Sequence, residues 1–359
     1  MKLLQILYPG LGGHSSVAFS LIEGDKEREF THSLLGYGIE EPSAMFVRKA
    51  KELKVNSQSI LKKRGFDFQS QKAVYKILKK EKPDYIILHS TSLIFVVFWY
   101  GLFHKVKWLS VEHQSNHAKT RIDWIYCFFI LLLAPRIVYL TAEYKQEIKE
   151  KFKFFVSNKK INIIPNGINT EKFKPAKEKE KTDEVVFSMI SRMTKLRDHR
   201  TLILAIKEIA KTTKCKLYIA GDGETFDEYN ALVKELELEN TVVFTGTLNE
   251  EELIKLLHKT DIYIHSSLAE TQSTSLLQVM ACKVPIIATD IKGINNLLVD
   301  SEDALLFEAK NKIELISKIA ELLRRKELQN KLTESAYFKL IETYDSSKLI
   351  KKYLNAIKE

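Results

Sequence analysis

Cysteine is scarce in this chain, and what there is lies far apart. The three residues Cys127, Cys215 and Cys282 include no C-x-x-C pair. That excludes a disulfide framework and a thiolate metal site, and it fits a reducing, cytosolic setting. Long hydrophobic runs are missing too. The two longest, Leu93 to Phe103 and Ile122 to Ala134, fall short of the ~20 residues that cross a bilayer, and Asp123 and Pro135 interrupt or bound the second. Such runs read as buried helices, with a surface patch around Trp99, Tyr100, Phe103, Trp124 and Phe128 dipping into a membrane interface as the alternative. The apolar stretch Leu3 to Tyr8 is too short for a signal peptide and turns at once into a glycine loop, so it reads as a first strand. Gly/Ser linkers, Pro-rich tracts and low-complexity runs are absent as well, which predicts an ordered chain.

What is present supports two domains. The 359 residues are 45% hydrophobic, enough for sizeable cores, and domains cluster at ~100 to 150 residues. Two domains imply a cleft. The net charge of +10 is uneven: residues 1 to 170 hold 26 Lys and Arg against 15 Asp and Glu, the remainder 30 against 31. A basic half attracts nucleic acid, acidic lipid headgroups or a phosphorylated acceptor, although a solvated lysine surface accounts equally well for Lys49 to Lys82. No zinc-finger spacing, RNP-like aromatic motif or base-reading basic helix occurs, so nucleic acid is set aside. Peripheral contact with an anionic membrane through the basic N-terminal domain is preferred, on the cytoplasmic side.

Strand, glycine turn and helix follow one another at the start: Leu3 to Tyr8, then Pro9 to Ser16, then a helical pattern from Val17. Further apolar runs at Tyr85 to Leu88 and Val106 to Val111 alternate with helices, which predicts a parallel sheet covered on both faces. The pattern restarts after Pro165-Asn166-Gly167, with strands expected at 185–190, 216–220, 241–244, 262–265 and 285–288. The expected fold class is therefore α/β, with two Rossmann-like doubly wound domains facing a cleft and a boundary in the stretch 166–181. Ligands of such sheets sit beyond the carboxyl ends of the strands, which nominates the loops after Tyr8, Leu88, Val111, Ile190, Ala220 and His265.

Three of those loops carry chemistry. Gly12 and Gly13 sit where glycine serves a tight turn, or lets backbone approach a phosphate or sugar at a helix N-terminus. Ser191 to Leu202 places Arg192, Lys195, Arg197 and Arg200 within nine residues at a strand end, a pattern suited to a diphosphate. A solvated basic turn is the plainer explanation. His265 to Cys282 crowds Glu270, Thr271, Gln272, Ser273, Thr274 and Ser275 into one loop. Helix capping by Thr274 or Ser275 accounts for one hydroxyl but not for the others.

With these residues in view, the chain resembles a family 4 glycosyltransferase, whose C-terminal domain carries an R-x4-K element and an E-x7-E motif. Arg192 and Arg197 fall on the first, with Arg197 where the family usually has Lys, and Glu270 falls on the first glutamate. The resemblance extends to Pro165-Asn166-Gly167, to Ala220-Gly221-Asp222-Gly223 and to Ala281-Cys282-Lys283-Val284-Pro285. It implies the GT-B fold, with an N-terminal acceptor domain of residues 1–168 completed by the C-terminal helix 344–359, and a nucleotide-sugar domain of residues 169–343. It also implies a retaining transfer from a nucleotide-diphosphate sugar, UDP-sugar favoured over GDP-sugar, to a glycan or lipid-linked acceptor in cell-surface polysaccharide or lipopolysaccharide biosynthesis. No cofactor or metal is then required.

By that resemblance Glu270, Arg192, Arg197 and His113 are catalytic, and the donor is bound by Gly12, Gly13, Arg192, Arg197, Gly221, Ser273, Thr274, Ser275 and Gln278. His113 follows a strand and has the i, i+4 spacing of a metal pair with His117, but no third ligand is evident. His89 ends the preceding strand, Glu112 is a further acceptor-side candidate, and a buried structural histidine is the ordinary alternative for either imidazole. The chain departs from the family pattern at the second glutamate, which is Gln278, at the usual glycines, which are Thr271 and Ser273, and at the usual proline, which is Ser275. Those departures keep two other readings open: a non-catalytic sugar-nucleotide or glycan-binding protein, and a GT-B epimerase.

Overall fold

Strands as short and apolar as Tyr85–Leu88 and Ile262–His265 are buried along almost their whole length, the pattern of a parallel sheet covered by helices on both faces. The computed structural model describes residues 1–358 except 11, 12, 115, 117, 118, 154–159, 179–182 and 271. It divides into two units, Met1–Asn169 with Asp345–Glu359, and Thr170–Tyr344.

In the first unit the chain runs β1 (Lys2–Leu7), α1 (Gly13–Gly24), β2 (Thr31–Gly38), α2 (Ala44–Glu52), β3 (Asn56–Leu61), α3 (Phe68–Glu81), β4 (Tyr85–Leu88), α4 (Ile94–Phe103), β5 (Lys107–Glu112), α5 (Arg121–Leu133), β6 (Ile137–Tyr139), α6 (Ala142–Lys151) and β7 (Ile161–Ile163). Its strands are parallel in the order β3-β2-β1-β4-β5-β6-β7.

The second unit runs β8 (Val185–Ile190), α7 (His199–Ala210), β9 (Cys215–Ala220), α8 (Phe226–Glu235), β10 (Val242–Gly246), α9 (Glu250–Lys259), β11 (Ile262–His265), α10 (Thr274–Ala281), β12 (Ile286–Thr289), α11 (Lys292–Asn295), β13 (Leu305–Phe307), α12 (Lys312–Arg324) and α13 (Lys326–Thr343). Its parallel order is β10-β9-β8-β11-β12-β13. Both units are therefore doubly wound, with the order reversing between β1 and β4 in one and between β8 and β11 in the other.

The last helix, α14 (Ser346–Lys358), belongs to the first unit. Leu349, Ile350, Tyr353, Leu354 and Ile357 recur at helical spacing and pack with Val17 and Leu21 of α1 against Leu3, Ile87 and Leu109 of the sheet. Five strands are unmarked in the sequence: of the longer two, β2 contains glycines, and β3, Asn-Ser-Gln-Ser-Ile-Leu, is a largely polar edge strand. The three-residue strands β6, β7 and β13 are too short to show a period.

One expectation is overturned. The two long apolar runs form α4 and α5, but only one face of each is buried. Phe95, Trp99, Leu102 and Phe103 on α4 and Ile122, Ile125 and Leu132 on α5 are exposed, Trp99 by 57% and Phe103 by 65%. Tyr100 and Cys127 take the buried positions instead. The spacing of 95, 99, 102 and 103 is itself a helical stripe, hidden in sequence because the opposite face is equally apolar.

Because Leu349 is 1% exposed in the α14 contact, Leu349→Ala should destabilise the first unit by about 2–5 kcal/mol in urea unfolding. The same change at Ile313, 78% exposed, should stay within about 0.5 kcal/mol.

Candidate active site

In the second unit the loops leaving β8 and β11 pair with each other just past the point where strand order reverses. Asp198 N donates to Ser266 O at 3.1 Å, Leu268 N to Leu196 O at 2.9 Å, and Arg197 and Ser267 form an isolated antiparallel bridge. This brings Arg197 against Glu270. Arg197 Nη2 lies 3.1 Å from Glu270 Oε2, and Nη1 donates to Ser267 Oγ at 2.6 Å and to the Ala269 carbonyl. Three of its five N–H groups are thus committed to the loop that carries Glu270. The side chains are only 17% and 10% exposed, so the pair is partly desolvated and held by additional hydrogen bonds, the condition under which such pairs are favourable.

Glu270 has a second partner on β11. His265 Nε2 lies 3.2 Å from Glu270 Oε2, and its Nδ1 is 3.2 Å from the Tyr263 hydroxyl. That hydroxyl also lies 3.2 Å from both Ile190 N and Ile190 O and 3.3 Å from Ser275 Oγ. Burial pushes the Tyr263 phenol up to about 12, so it stays protonated as the hub between β8, β11 and α10. Neither His265 nor Tyr263 was singled out from sequence; the i, i+2 spacing that puts both on one face of β11 was the available signal.

The hydroxyls after Glu270 have different tasks. Ser273 caps α10, accepting from Leu276 N at 3.3 Å, where the sequence suggested Thr274 or Ser275. The reason is register: α10 begins at Thr274, one residue earlier than a cap at Thr274 would need. Ser275 is tied to Ser273 at 2.9 Å and to Tyr263. Thr274 and Gln278 remain, one turn apart on the same face of α10, half-buried and without a side-chain hydrogen bond among the described residues. Arg192 is exposed and likewise unpaired. Asp198 caps α7 through Thr201 N at 3.1 Å, and His199, 3.0 Å from Ser191 Oγ, is pushed down to about 4 by burial.

Two glycines make these approaches possible. Gly221 adopts φ +138°, and a Cβ there would fall 1.9 Å from Ser191 O, so this residue seats the β9 turn beneath the Arg192 loop. Gly293, in α11, would place a Cβ 1.9 Å from Glu270 O. Nothing in the local sequence marks Gly293, whose contact is made across 23 residues.

The first unit holds the N-terminal candidates. Gly13 opens α1, whereas Gly12, like His117 and Thr271, lies outside the described residues. His113 Nε2 is 2.8 Å from His89 Nδ1, and burial holds both imidazoles well below their usual range. Glu112 is buried and paired with Lys119 at 3.3 Å.

Two successive doubly wound parallel-sheet units, the second with an Arg–Glu pair at its switch point, define the GT-B class. Within that class the chain belongs to the family 4 type of glycosyltransferase and is a transferase: the pattern described as "Glycosyltransferase Family 4" matches residues 11–172, and "Glycosyl transferases group 1" matches residues 170–338. It is 24% identical over 364 residues to N-acetyl-alpha-D-glucosaminyl L-malate synthase of Bacillus anthracis, covering 96% of this chain and 93% of that one. It is 26% identical to UDP-Gal:alpha-D-GlcNAc-diphosphoundecaprenol alpha-1,3-galactosyltransferase of Escherichia coli, covering 80% and 78%. Its fold matches Anabaena HepE, solved with UDP and glucose, with a TM-score of 0.82 over 100% of both chains at 15% identity.

Gly293→Ala should push the Glu270 backbone out of place while leaving the sheet intact. Transfer should fall about 10- to 100-fold with the far-ultraviolet circular dichroism unchanged; wild-type turnover would show that the Glu270 loop tolerates displacement.

Proposed function

We propose that this protein transfers a sugar, with retention of anomeric configuration, from a UDP-sugar to a lipid-linked glycan acceptor in cell-surface polysaccharide or lipopolysaccharide assembly. The observation that carries this reading is the braced Arg197–Glu270–His265 constellation, with Arg192, Thr274 and Gln278 left uncommitted beside it. The second unit binds the nucleotide-sugar and the first unit the acceptor. The choice of UDP is supported by the names of two similar proteins, one a UDP-Gal enzyme and one solved with UDP; the lipid-linked acceptor is supported by the first of these, which acts on a diphosphoundecaprenol glycan.

In this reading the leaving group is a nucleoside diphosphate. Its growing charge meets Arg192, the two uncommitted N–H groups of Arg197 and the free backbone N–H groups at the start of α10, so no metal ion or other cofactor is required. Gly13 and Gly221 give close backbone approach, and Ser273 and Ser275 act by holding the start of α10 in place. Glu270, oriented by Arg197 and His265, binds donor hydroxyls and stabilises positive charge developing on the sugar. Gln278 takes the ribose hydroxyls through its amide, an uncharged contact where the family pattern has a carboxylate. His113 contacts a substrate hydroxyl from the first unit. The non-catalytic reading is not favoured, because Arg192, Arg197 and Glu270 are all in place and the similar proteins named above are transferases.

The same reading includes a peripheral membrane contact. No helix among the described residues is long and apolar enough to cross a membrane. The exposed stripes of α4 and α5 are joined through the Phe95–Phe129 ring pair, 4.8 Å between centroids. Neither stripe holds a charged residue, and exposed Lys105 and Arg121 flank them. The unit itself carries 30 Lys and Arg against 17 Asp and Glu, a charge of +13 that suits anionic headgroups.

A panel of nucleotide-sugars tests the chemistry. Wild type should release UDP and transfer sugar to a lipid-linked acceptor, and Arg192→Ala and Glu270→Gln should each lose about 10²- to 10³-fold in kcat. Full activity of Glu270→Gln would sink the assignment, and tight donor binding without turnover on any acceptor would restore the binding-protein reading. For the membrane, wild type should sediment with phosphatidylglycerol vesicles, and Trp99→Ser should weaken that binding about tenfold. Equal binding to neutral phosphatidylcholine, or none to either, would remove the contact.

A further inference from the structure

Three histidines from distant parts of the chain meet at the switch point of the first unit. His14 lies in the first turn of α1, His89 follows β4 and His113 follows β5. The His14 and His113 ring centroids are 4.4 Å apart, and those of His89 and His113 5.0 Å. Gln5, in β1, completes the group: its Oε1 lies 3.1 Å from His89 Nε2, and Gln5 and His89 are 0% and 1% exposed.

The direction of every proton in this chain follows from its buried end. Gln5 Nε2 donates to the Ala18 carbonyl at 3.2 Å, and a carbonyl only accepts, so the amide oxygen must face His89. That oxygen also only accepts, so His89 carries its proton on Nε2. Burial keeps His89 neutral at ordinary pH, which leaves its Nδ1 bare. Across 2.8 Å, His113 must then donate from Nε2. His113 is also held neutral by burial, so its own Nδ1 has no proton, and it has no hydrogen-bond partner among the described residues. His14, beside it, is pushed down to about 4 by burial, so no imidazolium stands in the cluster to reverse the order. The nearest carboxylate in sequence, Glu112, is engaged by Lys119 and by Gln114 N.

We infer that Gln5 and His89 are positioning residues that hold His113 in its Nε2–H tautomer, so that Nδ1 is presented as a bare acceptor for a substrate hydroxyl. This rests on the reading of His113 as a substrate-contacting residue. A histidine pair kept only for packing would need no fixed polarity. The polarity arises because one backbone carbonyl, at Ala18, sets the amide, the amide sets one imidazole, and that imidazole sets the next.

Full-length protein with 15N-labelled histidine reads the order directly. Two-bond proton–nitrogen spectra should show His113 with protonated Nε2 and unprotonated Nδ1. His89→Gln retains one donor for Gln5 and one acceptor for His113, whereas His89→Leu retains neither. The Gln variant should keep the tautomer and stay within about threefold of wild-type kcat. In the Leu variant His113 should populate both tautomers, and kcat should fall about tenfold at unchanged donor KM. A protonated Nδ1 in wild type, or a single tautomer with full kcat in His89→Leu, would overturn the inference. If the spectra are as expected but His113→Ala transfers sugar at the wild-type rate, the reading of His113 as a substrate contact is what fails, and with it the positioning role.

Discussion

Strand order that reverses in the middle of a parallel sheet leaves neighbouring loops running to opposite faces, and a gap opens between them. The rest of this molecule's chemistry depends on that constraint, which occurs once in each unit. Between β8 and β11 the gap is spanned by the two loops themselves, zipped through Leu196 to Asp198 and Ser266 to Leu268. Between β1 and β4 it is filled by imidazoles and an amide. In both cases the sheet supplies rigid ends, and the side chains inherit their separation from the strand spacing.

The two gaps are electrically unlike. The one in the second unit is ionic: a guanidinium braces a carboxylate, a histidine contacts the same carboxylate oxygen, and an exposed Arg192 follows β8. Bracing costs Arg197 most of its donors but holds the carboxylate without conformational search, which is how a site of this kind reaches a preorganised geometry. The gap in the first unit is polar and neutral, because burial suppresses protonation of His14, His89 and His113. Charge suits a diphosphate and a developing cation; a neutral acceptor suits a hydroxyl.

How much of this was legible in sequence varies with the range of the interaction. Arg192, Arg197 and Glu270 stood out because each follows a buried strand, and the doubly wound architecture followed from alternating apolar runs and helices. His113 and His89 were visible as strand-end residues, but the hydrogen bond between them was not. The support of Glu270 by His265, the hub at Tyr263 and the close approach of Gly293 had no local signature, since each is a contact between segments brought together only by the sheet. The exposed faces of α4 and α5 were misread as buried because a helix apolar all round gives no moment from which to tell its two sides apart.

Local composition and periodicity by themselves determined the more apolar strands and their alternation with helices, that two doubly wound units form, and which loops carry charge at strand ends. Those features depend on hydrophobic spacing and on residue type, both written along the chain. Only the tertiary structure decided that Arg197 braces Glu270, that Ser273 caps α10 while Thr274 and Gln278 stay uncommitted, and that the Ala18 carbonyl orders the protons from Gln5 to His113. Those depend on hydrogen bonds whose donor and acceptor lie far apart in sequence, and the partners exist for each other only once the strands have taken their places.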